Sequence, residues 1–522
     1  MSEGMDVAQQ VAERLAMGRH FMDQGRLAEA ESILLGLRAI TTGDFEVDKQ
    51  FGIVLAMKGS YAAARAPLLD AVALDDRDPV VFNVLSACAF QTGDFAAALA
   101  EADRALALNP HYPEAYNNRG AALLRLGRPG EAAEALAAAL RFMPRDAEIN
   151  LNLGNALDAL EQLPAALQYV ERAIALAPRL APARVNRGNI LQRLGRHRDA
   201  LQAYDQALAL DPANVDANWN RALCCFLLGD YAAGWRGFEW RWRLEHRRSE
   251  AGRFAQPSWL GQERIDGKTI LLHCEQGLGD TIQFARYVGQ VAGRGARVVL
   301  EVFPPLAGLM ATLPDTIQII RRGDPLPPFD LHTPLMSLPL ALGEPEPAFP
   351  PQPYLAADPA RARAWAERLG PAGGLRVGLA CSGSRTNGND ANRSIPFETL
   401  AAWLPAGPDY HLVQKDIRDA DRAALATRRD IAVWDEALGD FADTAALCQS
   451  MDLVISVDTS VAHLAGALGR PVWLMLPFDP DWRWGLHSDT TPWYPRMRIY
   501  RQALRRDWSD PLERVARDLL AF

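Results

Sequence analysis

Lysine is nearly missing from this chain. Only Lys49, Lys58, Lys268 and Lys415 stand among 55 cationic residues, so arginine carries most cationic roles. Base composition alone produces such a skew, and it implies no function by itself. Positive charge is in deficit overall. The formal net charge is −9 over 522 residues, which argues against a general nucleic-acid-binding surface. A local basic pocket for a phosphate group stays open. Cysteine is scarce: Cys88, Cys224, Cys225, Cys274, Cys381 and Cys448 form no C-x-x-C pair, so ribbon-type zinc sites and thioredoxin-like chemistry are excluded. Several sit in apolar runs and read as small buried hydrophobes. No run reaches the roughly 18 apolar residues of a membrane span. The opening MSEGMDVAQQ has no apolar signal core. A cytoplasmic location is the resulting expectation.

What is present, first, is a repeat. Pro110, Pro144, Pro178 and Pro212 are each 34 residues apart. The same step links Gly25, Gly59, Gly93 and Gly127, then Gly195 and Gly229, with Glu161 as the one break. Ala30, Ala64, Ala98, Ala132, Ala166 and Ala200 keep the register, as do Ala71, Ala105, Ala139, Ala173 and Ala207. Gly18, Gly52, Gly120, Gly154 and Gly188 form another series, completed by Ser86 and Ala222. Small residues let two antiparallel helices approach closely. The glycine between them ends the first helix in a left-handed conformation. The proline stops the second helix.

This pattern resembles the tetratricopeptide (TPR) family over about residues 11–248. It gives six full repeats, starting at Val11, Phe45, Pro79, Pro113, Ala147 and Ala181, and a degenerate seventh from Val215. The resemblance implies an α-solenoid with a concave groove. Asn118, Asn152, Asn186 and Asn220 fall at one repeat position. An amide both donates and accepts, so such a ladder suits the backbone of an extended protein or peptide partner. The ladder resembles the one lining the groove of O-GlcNAc transferase. The competing reading is asparagine kept by duplication, solvated or bonded locally. After the repeats, Trp235, Phe238 and Trp242 are spaced as one helical face. That predicts a capping helix which covers the terminal repeat and docks it on the next domain, with ligand stacking as the other reading.

From Gly267 the period changes. Apolar runs at 269–274, 297–302 and 316–320, then 375–381, 410–415, 452–458 and 471–476, alternate with helical stretches. A proline-rich stretch at 325–353 separates the two sets. Alternating strands and helices predict parallel sheets, here two Rossmann-like lobes, with ligands at the carboxyl ends of the strands. The expected division is 1–248 solenoid, 249–266 junction, 267–355 and 374–500 lobes, and 501–522 as a C-terminal helix.

Three loops at strand ends carry candidate chemistry. In the first, Gly277 and Gly279 permit a tight turn before a helix, and Asp280 stands near its start. The plain alternative is an N-capping aspartate. In the second, Ser382, Ser384 and Arg385 precede Arg393-Ser394-Ile395-Pro396, a polar loop with arginines that suits a diphosphate. A surface turn is the alternative. In the third, Asp458, Thr459 and Ser460 lead from a strand into a helix carrying His463. Such a helix start offers N–H groups to a phosphate; a structural histidine is the alternative.

HCEQGLGDTIQFARYV, RSIP and VDTSVAHLAGALGRPV together resemble the heptosyltransferase-like glycosyltransferases of family nine, over roughly 267–500. That resemblance implies a GT-B fold and transfer of a sugar from a nucleotide-diphosphate sugar to an acceptor hydroxyl. It implies no bound metal and no cofactor beyond that co-substrate. It gives Asp280 the general-base role. It gives the nucleotide diphosphate to Asp458, Thr459, Ser460 and His463, with Gly279 and Arg393 at matched positions; Gly277, Ser382, Ser384 and Arg385 are expected alongside from their own place in the strand-end loops. Ser460 replaces the family's glycine and Arg393 its lysine. The full layout is similar to O-GlcNAc transferase, whose own catalytic signatures are not clearly present. Asp479-Pro480-Asp481 resembles a metal-binding D-x-D but is read as structural or acceptor-side. The rivals are a non-catalytic TPR scaffold with an inactive α/β half, and a sugar-nucleotide epimerase.

Overall fold

The computed structural model describes residues 2–41, 43–347 and 353–522. The chain forms two compact units, 1–212 and 213–522.

The first unit is an α-solenoid of paired helices. After Ser2–Asp23 and Leu27–Ile40, the first helices of successive pairs are Phe45–Met57, Pro79–Gln91, Pro113–Arg125, Ala147–Ala159 and Ala181–Arg193. These begin at the residues from which the 34-residue register starts each repeat. The alanine series at 30, 64, 98, 132, 166 and 200 is fully buried. The small-residue series has the role its size suggests. A Cβ on Gly52, Gly120, Gly154 or Gly188 would stand 2.4–2.6 Å from the side chain 16 residues on: Leu68, Leu136, Val170 or Tyr204. Ser86 takes that place in its own repeat and donates its hydroxyl to the Ala98 carbonyl, 2.7 Å away. At the turn between helices, Glu161 adopts the left-handed φ of +60° that glycine adopts in the other repeats.

Gly188→Val therefore drives two methyls into the buried Tyr204 ring. Overpacking of this kind costs about 1–3 kcal/mol, so the urea midpoint of the helical signal should fall. An unchanged midpoint would show that the helices yield freely at this point.

The second unit starts with the seventh helical pair, Val215–Leu227 and Tyr231–Phe238. This pair keeps the repeat register yet belongs to the α/β unit. Trp235 packs edge-on to Phe226 at 4.5 Å and to Trp482 at 5.5 Å, and its indole N–H donates to the Pro345 carbonyl at 2.8 Å. The α-helix ends at Phe238 and passes into a 3-10 turn, Glu239–Arg243, so Trp242 leaves the helical face expected from its spacing.

Two parallel sheets come next. β1 (Thr269–His273), β2 (Arg297–Val302), β3 (Ile317–Arg321) and β4 (Leu331–Pro334) lie in the order β3-β2-β1-β4. β5 (Arg376–Ala380), β6 (Asp409–Leu412), β7 (Ile431–Val433), β8 (Leu453–Val457), β9 (Val472–Leu476) and β10 (Met497–Arg501) lie in the order β10-β9-β8-β5-β6-β7. Every strand pairing in both sheets is parallel. β8 is buried along its whole length between β5 and β9.

The stretch 325–353, expected as a linker, contains β4 and the helix Leu338–Leu342. β4 occupies the sheet edge and ends at Pro334, where a missing N–H costs little. The junction extends that edge: Trp259 donates its N–H to the His332 carbonyl at 2.9 Å. Toward the C-terminus, β10 is followed by a helix over Ser509–Leu520, shorter than the 501–522 expected.

Candidate functional site

β1 delivers the chain into Cys274 and Glu275, both buried. Burying a carboxylate demands a partner. Arg241 provides one in a bidentate pair, Nε to Oε2 at 2.9 Å and Nη2 to Oε1 at 2.8 Å. Arg241 also donates to Ser337 Oγ at 2.6 Å and to Glu239 Oε1 at 2.8 Å. The next residue, Gln276, has φ +57°, a conformation that costs a non-glycine residue on the order of 1 kcal/mol. The turn is thus held from behind by a buried ion pair and strained at its tip. It ends in the helix Leu278–Phe284, which carries Asp280.

Asp280 has both oxygens engaged. Oδ2 accepts the Gly277 N–H at 2.7 Å, and Oδ1 accepts from Arg483 Nη2. Burial pushes its carboxyl above the ordinary aspartate value. Arg483 and the Gly277 N–H oppose that shift, and Asp481 adds to it.

The third loop lies against the first. Thr459 caps the helix Ser460–Ala467 in an extended conformation. A Cβ on Gly279 would stand 3.0 Å from His463 Cδ2 and 3.4 Å from Ser460 Cα. A side chain at this position would require the His463 ring or the helix start to give way by a few tenths of an ångström. His463 is buried, shares a 2.9 Å hydrogen bond through Nδ1 with the Tyr494 hydroxyl, and stacks on Trp484 at 5.2 Å. Burial, with Arg483, Arg286 and Arg393 nearby, holds it well below the ordinary histidine value, so it is neutral. The Asp458 carboxyl is pushed up to about 6 by burial and by Asp481, against the pull of Arg393 and Arg483.

The second loop completes the wall. Ser382 is buried and accepts from Gln414 Nε2 at 3.0 Å, while Gln414 Oε1 accepts the Cys381 N–H at 2.8 Å. Arg393 crosses Gly383, where a Cβ would fall 2.4 Å from its Nη2, and donates Nη1 to the Asp458 carbonyl at 2.9 Å. One cavity of about 1030 Å³ is bounded by all three loops.

Of the residues singled out in the sequence, Gly277, Gly279, Asp280, Ser382, Ser384, Arg393, Asp458, Thr459, Ser460 and His463 line this cavity. Arg385 is exposed and is not among the lining residues. The asparagine ladder is elsewhere. Asn118, Asn152 and Asn186 lie in the solenoid and Asn220 in the second unit. Asn118 Nδ2 donates to Asn83 Oδ1 at 2.8 Å, Asn152 to Asn117 at 2.9 Å and Asn186 to Asn155 at 2.6 Å. These amides tie neighbouring repeats together. Asp479 pairs with Arg505, and Asp481 with Arg483.

The sequence did not point to Arg483, Gln283 and Arg241, which hold the site together with Glu275 of the first loop, or to His246, Arg247 and Lys415, which line it. A signal existed for Gln283, one turn after Asp280 on the same helix. None existed for Arg483, which is brought to Asp280 only by the fold.

Residues 127–181 and 185–234, and residues 85–151, match tetratricopeptide-repeat families. Residues 438–475 match glycosyltransferase family 9 (heptosyltransferase). That match spans β8 and the His463 helix but reaches neither Asp280 nor Arg393. The chain is 30% identical over 327 residues to Protein FlbA of Caulobacter vibrioides, 56% of this chain and 53% of that one. It therefore spans about half the length of that relative. Among solved structures, it is similar to Cut9-Hcn1 of the APC/C (17% identity, TM-score 0.39, 41% of this chain and 42% of that one). It is also similar to a tetratricopeptide repeat protein from Parabacteroides merdae (14% identity, TM-score 0.38, 47% and 94%). The chain is thus a TPR α-solenoid followed by an α/β unit with parallel sheets and a partial glycosyltransferase family 9 match. No described helix is long and apolar enough to cross a membrane.

Proposed function

We propose that the α/β unit is a GT-B glycosyltransferase. It moves a sugar from a nucleotide-diphosphate sugar to an acceptor hydroxyl, and the repeats recruit a protein or peptide. The single observation that carries this reading is the convergence of Asp280 and the start of the Ser460–Ala467 helix on one cavity.

In this reading the acceptor O–H gives its proton to the Asp280 carboxylate. The acceptor oxygen bonds to the anomeric carbon as that carbon's bond to the diphosphate oxygen breaks. The negative charge gathering on the diphosphate meets the N–H groups of the Ser460 helix start and the Arg393 guanidinium. Those donors stand in for the positive charge that a metal would otherwise bring. An extended peptide would run along Asn118, Asn152 and Asn186, whose amide nitrogens donate to Asn83, Asn117 and Asn155, so that their carbonyl oxygens would accept its N–H groups. The layout, repeats then transferase, is similar to that of O-GlcNAc transferase.

Calorimetric titration of the intact chain with nucleoside diphosphates tests the donor half of this reading. Saturable binding is expected, weakened about tenfold by Arg393→Ala, the scale of one lost charge-assisted hydrogen bond. Binding that Arg393→Ala leaves unchanged would remove Arg393 from the donor site. No binding of any nucleoside diphosphate, together with no turnover of nucleotide sugars, would favour the inactive-scaffold alternative.

A further inference from the structure

The loop Asp481–Gly485, after β9, reaches across to the helix after β1. Its three central side chains go to three places. Trp482 stacks on Phe226 with ring centres 4.3 Å apart. Trp484 stacks on His463. Arg483, 6% exposed, points between them. Its Nε donates to Gln283 Oε1 at 2.6 Å, its Nη1 to Asp481 Oδ1 at 2.8 Å and its Nη2 to Asp280 Oδ1. Asp280 and Gln283 lie one turn apart on the same short helix, so a single guanidinium grips that helix at two points. Its planar fork is suited to holding two acceptors in fixed directions, which an ammonium cannot do.

None of the resemblances assigns this arginine a role. We propose that Arg483 is a positioning residue that clamps the Asp280 helix to the loop after β9, fixing the Asp280 carboxylate relative to the helix that carries His463. The proposal rests on the transferase reading only for its catalytic consequence; the clamp itself is a property of the fold.

The charged and titratable groups facing Asp280 are Arg483 and Asp481 from the loop, Asp458 and neutral His463 from β8 and its helix, and His246 and Arg247 from the 3-10 turn Glu245–Arg247. Burial already raises the Asp280 carboxyl, and Arg483 restrains that rise. For a carboxyl raised on folding, stability is fully present below the unfolded value and is lost as pH climbs through the folded value. Removing Arg483 raises the carboxyl further, and the loss of stability at neutral and higher pH deepens. Asp458, whose carboxyl Arg483 also restrains, responds in the same sense.

The test is a melting experiment on the intact chain at about pH 5 and about pH 8, where carboxylate linkage separates the two conditions. Arg483→Met should lower the melting temperature more at the higher pH. Adding Asp280→Asn to Arg483→Met should recover part of that loss at the higher pH only. Equal losses at both values, with no recovery by Asp280→Asn, would overturn the clamp. Arg483→Lys serves where Arg483→Met does not fold: it keeps the charge, so its loss should be nearly the same at both pH values. A strongly pH-dependent loss in Arg483→Lys would also overturn the proposal.

Turnover gives an independent reading. Arg483→Lys should lower kcat by about 100-fold, the cost of misplacing a reacting group by about 1 Å, with donor KM unchanged. Inactivity of the wild-type chain would defeat the transferase reading and leave the melting result to decide the clamp.

Discussion

Asp280→Asn is expected to lower kcat for sugar transfer by about 100- to 10,000-fold, the range that general-base catalysis contributes. Donor KM should change little, because the carboxylate does not hold the donor in this account. The substitution keeps shape and one acceptor oxygen. That oxygen can still receive the Arg483 guanidinium, while the amide nitrogen then faces the Gly277 N–H as donor against donor. Some loss of stability will accompany the loss of rate, so the melting temperature must be measured beside kcat. A folded Asp280→Asn chain that retains full turnover would remove Asp280 from the chemistry. The carboxyl's raised value carries a second consequence. Activity should fall at low pH as Asp280 is protonated, with the midpoint above the ordinary aspartate range, because burial outweighs Arg483 and the Gly277 N–H. A kcat profile flat across the acidic range would contradict it.

Arg241→Met is expected to destabilise the second unit by about 3–5 kcal/mol, the cost of stranding one member of a buried ion pair. Glu275 is 2% exposed, and Arg241 binds both its oxygens. Without Arg241, the carboxylate is buried without its partner, which favours drawing the turn open toward water. Glu275 is followed directly by the strained Gln276 and by Gly277, whose N–H fixes Asp280. Turnover should therefore fall together with stability. Arg241→Met combined with Glu275→Leu removes both charges and should recover most of the lost stability, since an apolar pair of similar volume often replaces a buried ion pair at no cost. Denaturant unfolding followed by tryptophan fluorescence measures both variants. A double variant no more stable than Arg241→Met would mean that the arginine matters for its packing on Phe238 and Trp242 rather than for its charge.

The solenoid was legible because its information is local and repeated. A 34-residue register at glycine, alanine and proline positions predicts both the helix starts and the small residues where helices touch, and Gly52, Gly120, Gly154 and Gly188 meet their partners as their spacing suggests. The long buried strands were legible for a related reason: β2 and β8 are near-continuous apolar runs, as strands covered on both faces must be. β4, β7 and β10 were not legible. Each stands at a sheet edge, is five residues or shorter, and carries polar residues, alanine or proline that blunt the pattern.

The cavity's strand-end loops could be read from strand ends and glycines, because ligands in parallel sheets gather there. The residues that hold those loops could not. Arg241 is 34 positions from Glu275, and Arg483 is 203 positions from Asp280. Such partners are fixed by tertiary packing and leave no periodic trace. Trp484 and Tyr494, which set the His463 ring by stacking and hydrogen bonding, are equally silent in the sequence.

Titration of the intact chain with uridine, adenosine, guanosine and cytidine diphosphates, followed by incubation with the matching nucleotide sugars, tests the transferase assignment most directly. One saturable site for at least one base is expected, retained in Asp280→Asn; with water standing in for the acceptor hydroxyl and taking the sugar, the wild-type chain should release that diphosphate from its nucleotide sugar and the variant should not. No binding of any of the four by a folded chain would contradict it.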